Sequence, residues 1–362
     1  MVRKVKKKKS GIRIFVALLL KVGIAAFVYK SIIIPGYHHI IENEYNNKTS
    51  SYSSLKITPD SSDDRTTPVP PSKIEPAPSV PLSSDKLNSP NAILIRLEVR
   101  GHTSPNKPVY QVGGMSPIND HTILMQKNSE EKIYPASLTK IMTAIVAIEN
   151  LPDLKEEIKL TNSTFQGLYE ADASMAGFQQ GEQVKAIDLL YGVMLPSGAE
   201  CSIGLTDQIA GSEQNFVNIM NQKAADLGMK NTHFENATGL HDKNHYTTVK
   251  DLAILLSYAL QNDTFREIFT SSRHSTPPTN KHPRGITFYS TMFEDLSNQN
   301  IIGGEILGGK TGYTDEAGLC LASLAKVGKQ EYILISAGAK GDHDSEQYNI
   351  TDALAVYNSI RK

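Results

Sequence analysis

A long segment rich in serine and proline limits how much of this chain can fold. Residues 50–90 contain 11 Ser and 8 Pro in 41 positions, and they hold few large apolar side chains. Such a segment buries too little apolar surface to offset the entropy lost on ordering, which predicts a solvated linker over residues 35–90. The part of the 362-residue chain that can form a core is therefore residues 91–362.

The charge of the chain is unevenly distributed. The formal net charge is −1, but residues 1–13 carry seven basic and no acidic side chains, which leaves 30 basic against 38 acidic residues elsewhere. Proteins that bind nucleic acid need a basic surface to neutralise phosphates. An acidic body argues against nucleic acid as a partner.

The basic tail of residues 1–13 is followed by an apolar run over residues 14–34 that is interrupted by Lys21 and Lys30. As a helix these 21 residues would span about 31 Å, enough to cross the hydrocarbon core of a membrane. The preceding lysines predict a cytoplasmic N-terminus. The run therefore predicts a single-pass cell-membrane anchor with the body outside the cytoplasm, and a cleaved signal peptide is the alternative.

The cysteines and histidines give little indication of redox or metal chemistry. Cys201 and Cys320 are too few for a disulfide framework and are expected to be buried thiols, although they could pair. His241 and His245 have the spacing of a zinc protease motif, but Asp242 stands where that motif needs a glutamate. Surface or loop histidines are the simpler interpretation, and neither a metal site nor a cofactor is predicted.

Apolar patterning within the body predicts strands at both ends and helices in the middle. The predicted strands cover residues 92–98, 121–127, 305–314, 318–326 and 331–338, and the predicted helices cover 137–150, 186–194, 200–210, 213–227, 249–260 and 347–360. This order predicts an α/β (α+β) fold in which an antiparallel sheet is flanked by helices and carries an inserted helical lobe.

The first candidate for chemistry is the pair Ser137 and Lys140, within the sequence YPASLTK. Residues three apart share one face of a helix, so the two side chains would lie one turn from each other. Apolar surroundings disfavour the ammonium form of a lysine, and its neutral amine could then accept the serine proton. The S-x-x-K pattern alone is weak, because an N-cap serine followed by a solvated lysine gives the same letters.

Two further patterns carry polar groups between and after the predicted helices. Ser197 lies in the loop sequence PSGAE, and a serine there could relay a proton. Lys310 and Thr311 lie in the sequence GGKTGYT, where a charge and a hydroxyl could hold an anion and glycines allow close backbone approach. Residues 304–311 also match the letters of a phosphate loop, but that motif needs a helix opening at the lysine, and Gly312 disfavours one.

In this chain order, S-x-x-K, a serine loop and K-T-G resemble the penicillin-recognising serine enzymes. The segments KNSEEKIYPASLTKIMTA, GEQVKAIDLLYGVMLPSGAE, ENATGLHDKNHYTTVKDLA and GGKTGYTDEAGLCLASLA are similar to the low-molecular-mass D-alanyl-D-alanine carboxypeptidases. The resemblance runs from about residue 127 to 325. It implies a β-lactamase/transpeptidase-like fold, with Ser137 as the nucleophile, Lys140 as its general base and Ser197 as the proton relay.

The resemblance also implies how a substrate would be held. Lys310 and Thr311 would bind the terminal carboxylate of a peptidoglycan stem peptide ending in D-Ala-D-Ala. Gly312 and Tyr313 complete the substrate-binding strand, and the oxyanion hole would consist of the backbone N–H groups of Ser137 and Tyr313. β-Lactams are the implied covalent inhibitors. A membrane-bound carboxypeptidase of this kind accompanies some glycopeptide-resistance systems, and the predicted anchor is compatible with that subclass.

One departure from the family pattern leaves alternatives open. The second motif of the family is Ser-x-Asn, whereas Ala199 occupies the third position here. Either the neighbouring Glu200 replaces the missing amide, or the site has a shifted specificity. A serine β-lactamase is one alternative, with Glu170 or Glu182 activating the water for deacylation. A non-catalytic receptor for β-lactams or wall fragments, and a wall-binding structural protein, are the others.

Overall fold

The computed structural model describes residues 83–97 and 122–360. The predicted basic tail of residues 1–13, the predicted membrane span over residues 14–34 and most of the predicted linker lie outside the described residues. Among the residues that are described, none of the helices has the length and apolar character required to cross a membrane.

A six-stranded antiparallel sheet forms the centre of the fold. Its strands are β1 (Asn91–Arg96), β2 (Ile123–Lys127), β7 (Asn300–Ile301), β8 (Gly304–Gly312), β9 (Leu319–Val327) and β10 (Gln330–Ala339), in the order β2-β1-β10-β9-β8-β7. Two small hairpins lie outside this sheet, formed by β3 (Glu157–Lys159) with β4 (Gln183–Lys185) and by β5 (Arg273–Ser275) with β6 (Thr287–Tyr289). The antiparallel sheet predicted from the sequence is therefore present.

The sheet is buried on both faces because its strands are apolar at successive positions. In β1, Ala92 and Leu94 pack into the smaller of two hydrophobic clusters, whereas Ile93 and Ile95 pack into the larger one. Since successive side chains of a strand point to opposite faces, the two clusters lie on opposite sides of the sheet. The sheet therefore separates two cores.

Helices cover both faces. Helix α8 (Tyr348–Ser359) packs with the smaller cluster. The larger cluster includes α1 (Thr139–Asn150), α2 (Ala186–Met194), α3 (Ala199–Ala210), α4 (Glu213–Asp226), α5 (Val249–Ala259) and α6 (Asp263–Thr270). In α1, the residues from Thr139 to Ala147 are all buried, so this part of the helix is surrounded by protein on every side. The result is a mixed α/β architecture with an antiparallel sheet flanked by helices, and α1 brings its N-terminal turn to the sheet.

The folded body begins before residue 91. Residues 83–90 were predicted as linker, yet Leu87 is only 6% exposed and Ser89 is fully buried. The carboxylate of Asp352, on α8, accepts hydrogen bonds from the backbone N–H groups of Asn88 (2.9 Å) and Ser89 (2.8 Å). The composition of the segment could not show this, because its partner lies more than 260 positions further along the chain.

Candidate active site

Ser137 lies in a single 3₁₀ turn, Ala136–Leu138, that leads directly into α1. The predicted helix over residues 137–150 is therefore α-helical only from Thr139. Ala136 has a positive φ of 46°, a conformation that is rare for a residue with a Cβ. This tight turn directs Ser137 so that its Oγ lies 3.2 Å from the Nζ atom of Lys140, the contact expected from their spacing.

Lys140 is buried, with only 2% of its surface exposed. Burial lowers the pKa of its amine to about 8, although the charges of Glu200 and Glu213 act in the opposite direction. The Nζ atom also donates to the carbonyl oxygen of Thr238. A buried amine with a lowered pKa, in hydrogen-bond contact with a serine hydroxyl, has the properties of a general base for that serine.

The segment 233–246 lies against the nucleophile turn. Its bend is held by Asn236, whose Oδ1 accepts the backbone N–H groups of Thr238 (3.2 Å) and Gly239 (2.7 Å). Gly239 has a φ of 83°, and a Cβ there would lie 2.0 Å from the carbonyl oxygen of Ala136. The segment therefore sets both the carbonyl that faces Lys140 and the backbone next to Ser137.

His245 joins the same segment to the start of α1. It is 2% exposed, and its Nε2 atom lies 2.8 Å from Oγ1 of Thr139. The backbone N–H of Glu235 donates to Nδ1, so the ring proton must be on Nε2 and points to Thr139. Burial lowers the pKa of His245 to about 4, which keeps the imidazole neutral. His245 thus lies in a loop, as the sequence predicts, but it is a buried residue and not a surface one.

Metal binding finds no support in the arrangement of these histidines. His241 lies 3.5 Å from a carboxylate oxygen of Glu316 and packs edge-on against Tyr134, whereas His245 is turned to Thr139. Within residues 83–97 and 122–360, no group of three or more His, Cys, Asp or Glu side chains could hold a metal ion. Cys201 and Cys320 are both buried and unpaired, as expected.

The second motif forms the turn before α3. Ser197 has a φ of 65°, and its buried Oγ has no hydrogen-bond partner in the described part of the chain. Ala199 is buried in a small apolar cluster with Leu168 and Ile203. The position that carries an amide in the family is thus part of a hydrophobic contact here.

Glu200 is bound to a neighbouring loop. Its Oε1 accepts the backbone N–H groups of Ala176 and Gly177, both at 2.8 Å, and of Phe178 at 3.3 Å. Burial raises the pKa of this carboxyl above its ordinary value, against those hydrogen bonds. Glu200 therefore fixes the loop beside the second motif, and the hydrogen bonds of Lys140 go to Ser137 and Thr238 instead. The second carboxylate oxygen of Glu200, Oε2, is buried and has no hydrogen-bond partner among the described residues.

The third motif lies on β8, at the edge of the site. A Cβ at Gly312 would lie 3.1 Å from the backbone nitrogen of Ser137, so this glycine allows the strand to approach the nucleophile turn closely. Lys310 is fully buried and donates to the carbonyl oxygen of Thr311 at 2.8 Å. Burial, and then the charge of Lys140, lower the pKa of Lys310 well below its usual range. The motif is an antiparallel strand with no helix opening at Lys310, so it is not a phosphate loop.

Tyr313, the residue after this strand, has its side chain at the rim of the site. Its hydroxyl donates to Asp315 at 2.7 Å, and its ring packs edge-on against His343. The structure therefore brings Ser137, Lys140 and Gly312 together, and it places Lys310 and Thr311 on the adjoining strand.

Of the two candidates for a deacylating glutamate, Glu182 is already held by other groups. Glu182 is fully buried, and its Oε1 is bound by His282 and Thr279 while its Oε2 accepts the backbone N–H of Gln179. Glu170 is exposed. The hydrogen bonds of Glu182 thus commit it to structural contacts, which does not favour it as the base of a β-lactamase.

Comparison with known proteins agrees with this geometry. The Peptidase S11 family model, described as D-alanyl-D-alanine carboxypeptidase, matches residues 117–341, more than half of the chain. The carboxypeptidase DacF of Bacillus subtilis is 35% identical over 235 residues, which cover 60% of this chain and 54% of DacF. The chain thus spans about half the length of that relative.

Matches to Streptomyces K15 cover most of the length of the matched chain, both in sequence and in structure. The D-alanyl-D-alanine carboxypeptidase of Streptomyces sp. strain K15 is 31% identical over 241 residues, covering 64% of this chain and 82% of that protein. A solved structure, a serine-to-alanine mutant of the Streptomyces K15 DD-transpeptidase, superposes with a TM-score of 0.62 at 25% identity. That match covers 75% of this chain and 97% of the K15 chain.

Proposed function

Because this chain belongs to the Peptidase S11 family of D-alanyl-D-alanine carboxypeptidases, we propose that it is a serine carboxypeptidase acting on peptidoglycan stem pentapeptides. It removes the terminal D-Ala through an acyl-enzyme and binds penicillins covalently at the same serine. The observation that carries the proposal is the 3.2 Å contact between the Lys140 amine and the Ser137 hydroxyl. Burial holds the pKa of that amine at about 8.

The acylation step follows from this contact. Lys140 accepts the Oγ proton of Ser137 as Oγ attacks the carbonyl carbon of the penultimate D-Ala. The backbone N–H groups of Ser137 and Tyr313 stabilise the oxyanion. The C–N bond then breaks, and the leaving amine takes up a proton through Ser197, whose buried hydroxyl has no other partner among the described residues. Free D-Ala departs and an ester remains on Ser137.

Deacylation reverses these roles. Water attacks the ester carbonyl, Lys140 accepts a proton from it, and the C–O bond to Ser137 breaks so that Oγ regains a hydrogen. Lys310 and Thr311 hold the terminal carboxylate of the substrate during acylation. Since a bound anion favours the charged form of a lysine, the substrate itself would offset the low proton affinity that burial gives Lys310.

The deciding experiment compares wild-type protein with Ser137→Ala. Incubation with a pentapeptide ending in D-Ala-D-Ala should release free D-Ala only with the wild type, and intact-mass spectrometry should find a penicilloyl adduct on the wild type alone. Ser336→Ala is a matched control, because Ser336 is also a buried serine but its hydroxyl has no partner in the described part of the chain. Release of D-Ala by Ser137→Ala as well as by the wild type contradicts the mechanism. An adduct that persists without any release of D-Ala identifies a β-lactam receptor instead.

Transfer of the acyl group to an amine is a second candidate function. The observation that favours it is that a solved structure named as a DD-transpeptidase superposes over 97% of its chain at 25% identity. An amine attacks the same ester that water hydrolyses, so the two reactions compete. Adding glycylglycine to the pentapeptide assay measures the ratio of transfer product to free tetrapeptide.

We also propose that residues 14–34 anchor the protein in the cell membrane with the catalytic domain outside the cytoplasm. The support is the apolar run behind the basic tail and the location of peptidoglycan, which the proposed enzyme must reach. Protease added to intact cells should then degrade the catalytic domain. In untreated cells, the protein should sediment with the membrane after alkaline washing. Recovery in the soluble fraction contradicts the anchor. We propose in addition that the anchored enzyme contributes to glycopeptide resistance. Deletion of its gene should then raise the susceptibility of the cells to glycopeptides.

A further inference from the structure

Thr291 lies where the second and third motifs meet, although no motif contains it. It is the first residue of α7 (Thr291–Asp295), directly after the β5–β6 hairpin. Its backbone N–H donates to the carbonyl oxygen of Leu195, two residues before Ser197, at 3.2 Å. Its hydroxyl lies 2.6 Å from the hydroxyl of Thr311. One residue therefore contacts both sides of the site.

The position of Thr291 is fixed by the packing of α7 on β8. A Cβ at Gly309 would lie 2.3 Å from the sulfur of Met292, so the glycine next to Lys310 is what allows this helix to approach the strand. Met292 is buried, whereas Thr291 and Thr311 are both half-buried. The paired hydroxyls are thus partly accessible, and the helix and strand that carry them are packed closely together.

The hydroxyl pair of Thr291 and Thr311 has one hydrogen available to donate to a ligand. Each hydroxyl has one hydrogen, and at 2.6 Å one of the two is used within the pair. The other hydrogen is free to point outward, and a hydroxyl that accepts one hydrogen bond is a stronger donor of the next. Whichever threonine donates internally, the outward O–H depends on both residues.

We propose that Thr291 is a carboxylate-recognition residue of this enzyme, which pairs with Thr311 to present one oriented O–H donor to the terminal carboxylate of the substrate. The inference rests on the proposed function, since it names the part of the substrate that the pair contacts. Lys310, whose amine is bound to the Thr311 carbonyl, carries the positive charge beside that donor once the carboxylate is bound. Thr291 therefore contributes to selection for a free carboxylate over an uncharged group.

The test uses a ligand with and without its carboxylate. Benzylpenicillin and its methyl ester are compared as acylating agents, by the rate of adduct formation in intact-mass spectrometry, on wild type, Thr291→Val and Thr291→Ser. Valine has the shape of threonine without the hydroxyl, and serine keeps the hydroxyl. A hydrogen bond to a charged group is worth on the order of a tenfold to hundredfold change in rate. The acid-to-ester rate ratio should fall by that factor in Thr291→Val and recover in Thr291→Ser.

The acid-to-ester ratio is internal to each protein, so partial misfolding of a variant does not change it. Thr287→Val is the matched control, because Thr287 forms a similar but exposed hydroxyl pair with Ser275 at 2.8 Å on the same hairpin. A Thr291→Val variant that loses the same factor on acid and ester overturns the inference, since Thr291 is then only a structural contact. A Thr291→Val variant with the wild-type acid-to-ester ratio and the wild-type rates overturns the inference as well. Failure of the proposed function is distinct, because the wild type itself would not be acylated.

Discussion

The proton on Lys140 decides whether Ser137 can be activated, because only the neutral amine can accept the hydroxyl proton. Burial lowers the pKa of this amine to about 8, and the negative charges of Glu200 and Glu213 raise it against that effect. The rate of acylation by a penicillin should therefore rise as the pH increases through about 8. At lower pH the buried ammonium is the main form and acylation slows.

The role of Glu200 can be separated from its structural contact. Glu200→Gln keeps an oxygen that can accept the backbone N–H groups of Ala176 and Gly177 but removes the negative charge. Since that charge raises the pKa of Lys140, the acidic limb of the acylation profile should move to lower pH. Glu170→Gln, at an exposed carboxylate of the same lobe, should leave the profile unchanged. An acidic limb that stays in place, measured between pH 6 and 10, contradicts the electrostatic role.

For single residues, the sequence predicts contacts within one turn of a helix and misses contacts between residues that are far apart in the sequence. Ser137 and Lys140 could be paired because their spacing places them together on a helix. Thr238, His245 and Thr291 could not, since each reaches its partner only through the tertiary fold. The HYTT sequence around His245 has no period that distinguishes a buried histidine from an exposed one.

Among the elements, segment 233–246 controls the geometry of the nucleophile turn. Gly239→Ala should place a Cβ 2.0 Å from the Ala136 carbonyl and displace the turn, so the acylation rate should fall at least tenfold. The left-handed backbone alone costs roughly 1–2 kcal/mol of stability for a residue with a Cβ. Fluorescent-penicillin labelling measures the rate, and urea unfolding measures the stability.

Gly228→Ala is the control for this prediction. Gly228 has a φ of 75° and nothing within 4 Å of its added Cβ, so the variant has the backbone cost without the contact. It should lose stability and keep the wild-type rate of labelling. Equal rates in the two variants contradict a role for close backbone approach at Gly239.

Element length explains which parts of the fold could be predicted. The strands β8, β9 and β10 and the helices α1 to α5 are nine residues or longer, and their observed bounds lie within two residues of the predicted ones. The strands β3 to β6 have three residues each, too few to show an alternating pattern. Helix α6 was also missed, although the Asn262 side chain caps it and Phe265, Ile268 and Phe269 form one buried face.

Three basic side chains in and next to the candidate site are buried. Lys140, Lys310 and His245 are each almost fully buried, so each loses hydration when the chain folds. An active site built this way reduces stability in order to obtain neutral amines. The stability of the protein should consequently depend on pH in a way that the exposed charges alone do not produce.

His245 gives the clearest case of this dependence. Burial lowers its pKa from 6.5 to about 4 in the folded state, so as the pH falls the unfolded chain takes up a proton before the folded protein does. The free energy of unfolding should therefore decrease by about 3 kcal/mol on this account between pH 6.5 and pH 4. It should recover fully above pH 6.5, where both states have a neutral imidazole.

Urea unfolding of wild type and His245→Gln across this range isolates the contribution, since the carboxylates titrate in both proteins. Glutamine can still donate to Thr139 but does not take up a proton, so the variant should show a shallower decrease in stability from pH 6.5 to 4. His233→Gln, at a histidine whose side chain is 45% exposed, serves as the control variant. Parallel curves for wild type and His245→Gln would mean that the buried imidazole is protonated as readily in the folded protein as in the unfolded chain, which contradicts the lowered pKa.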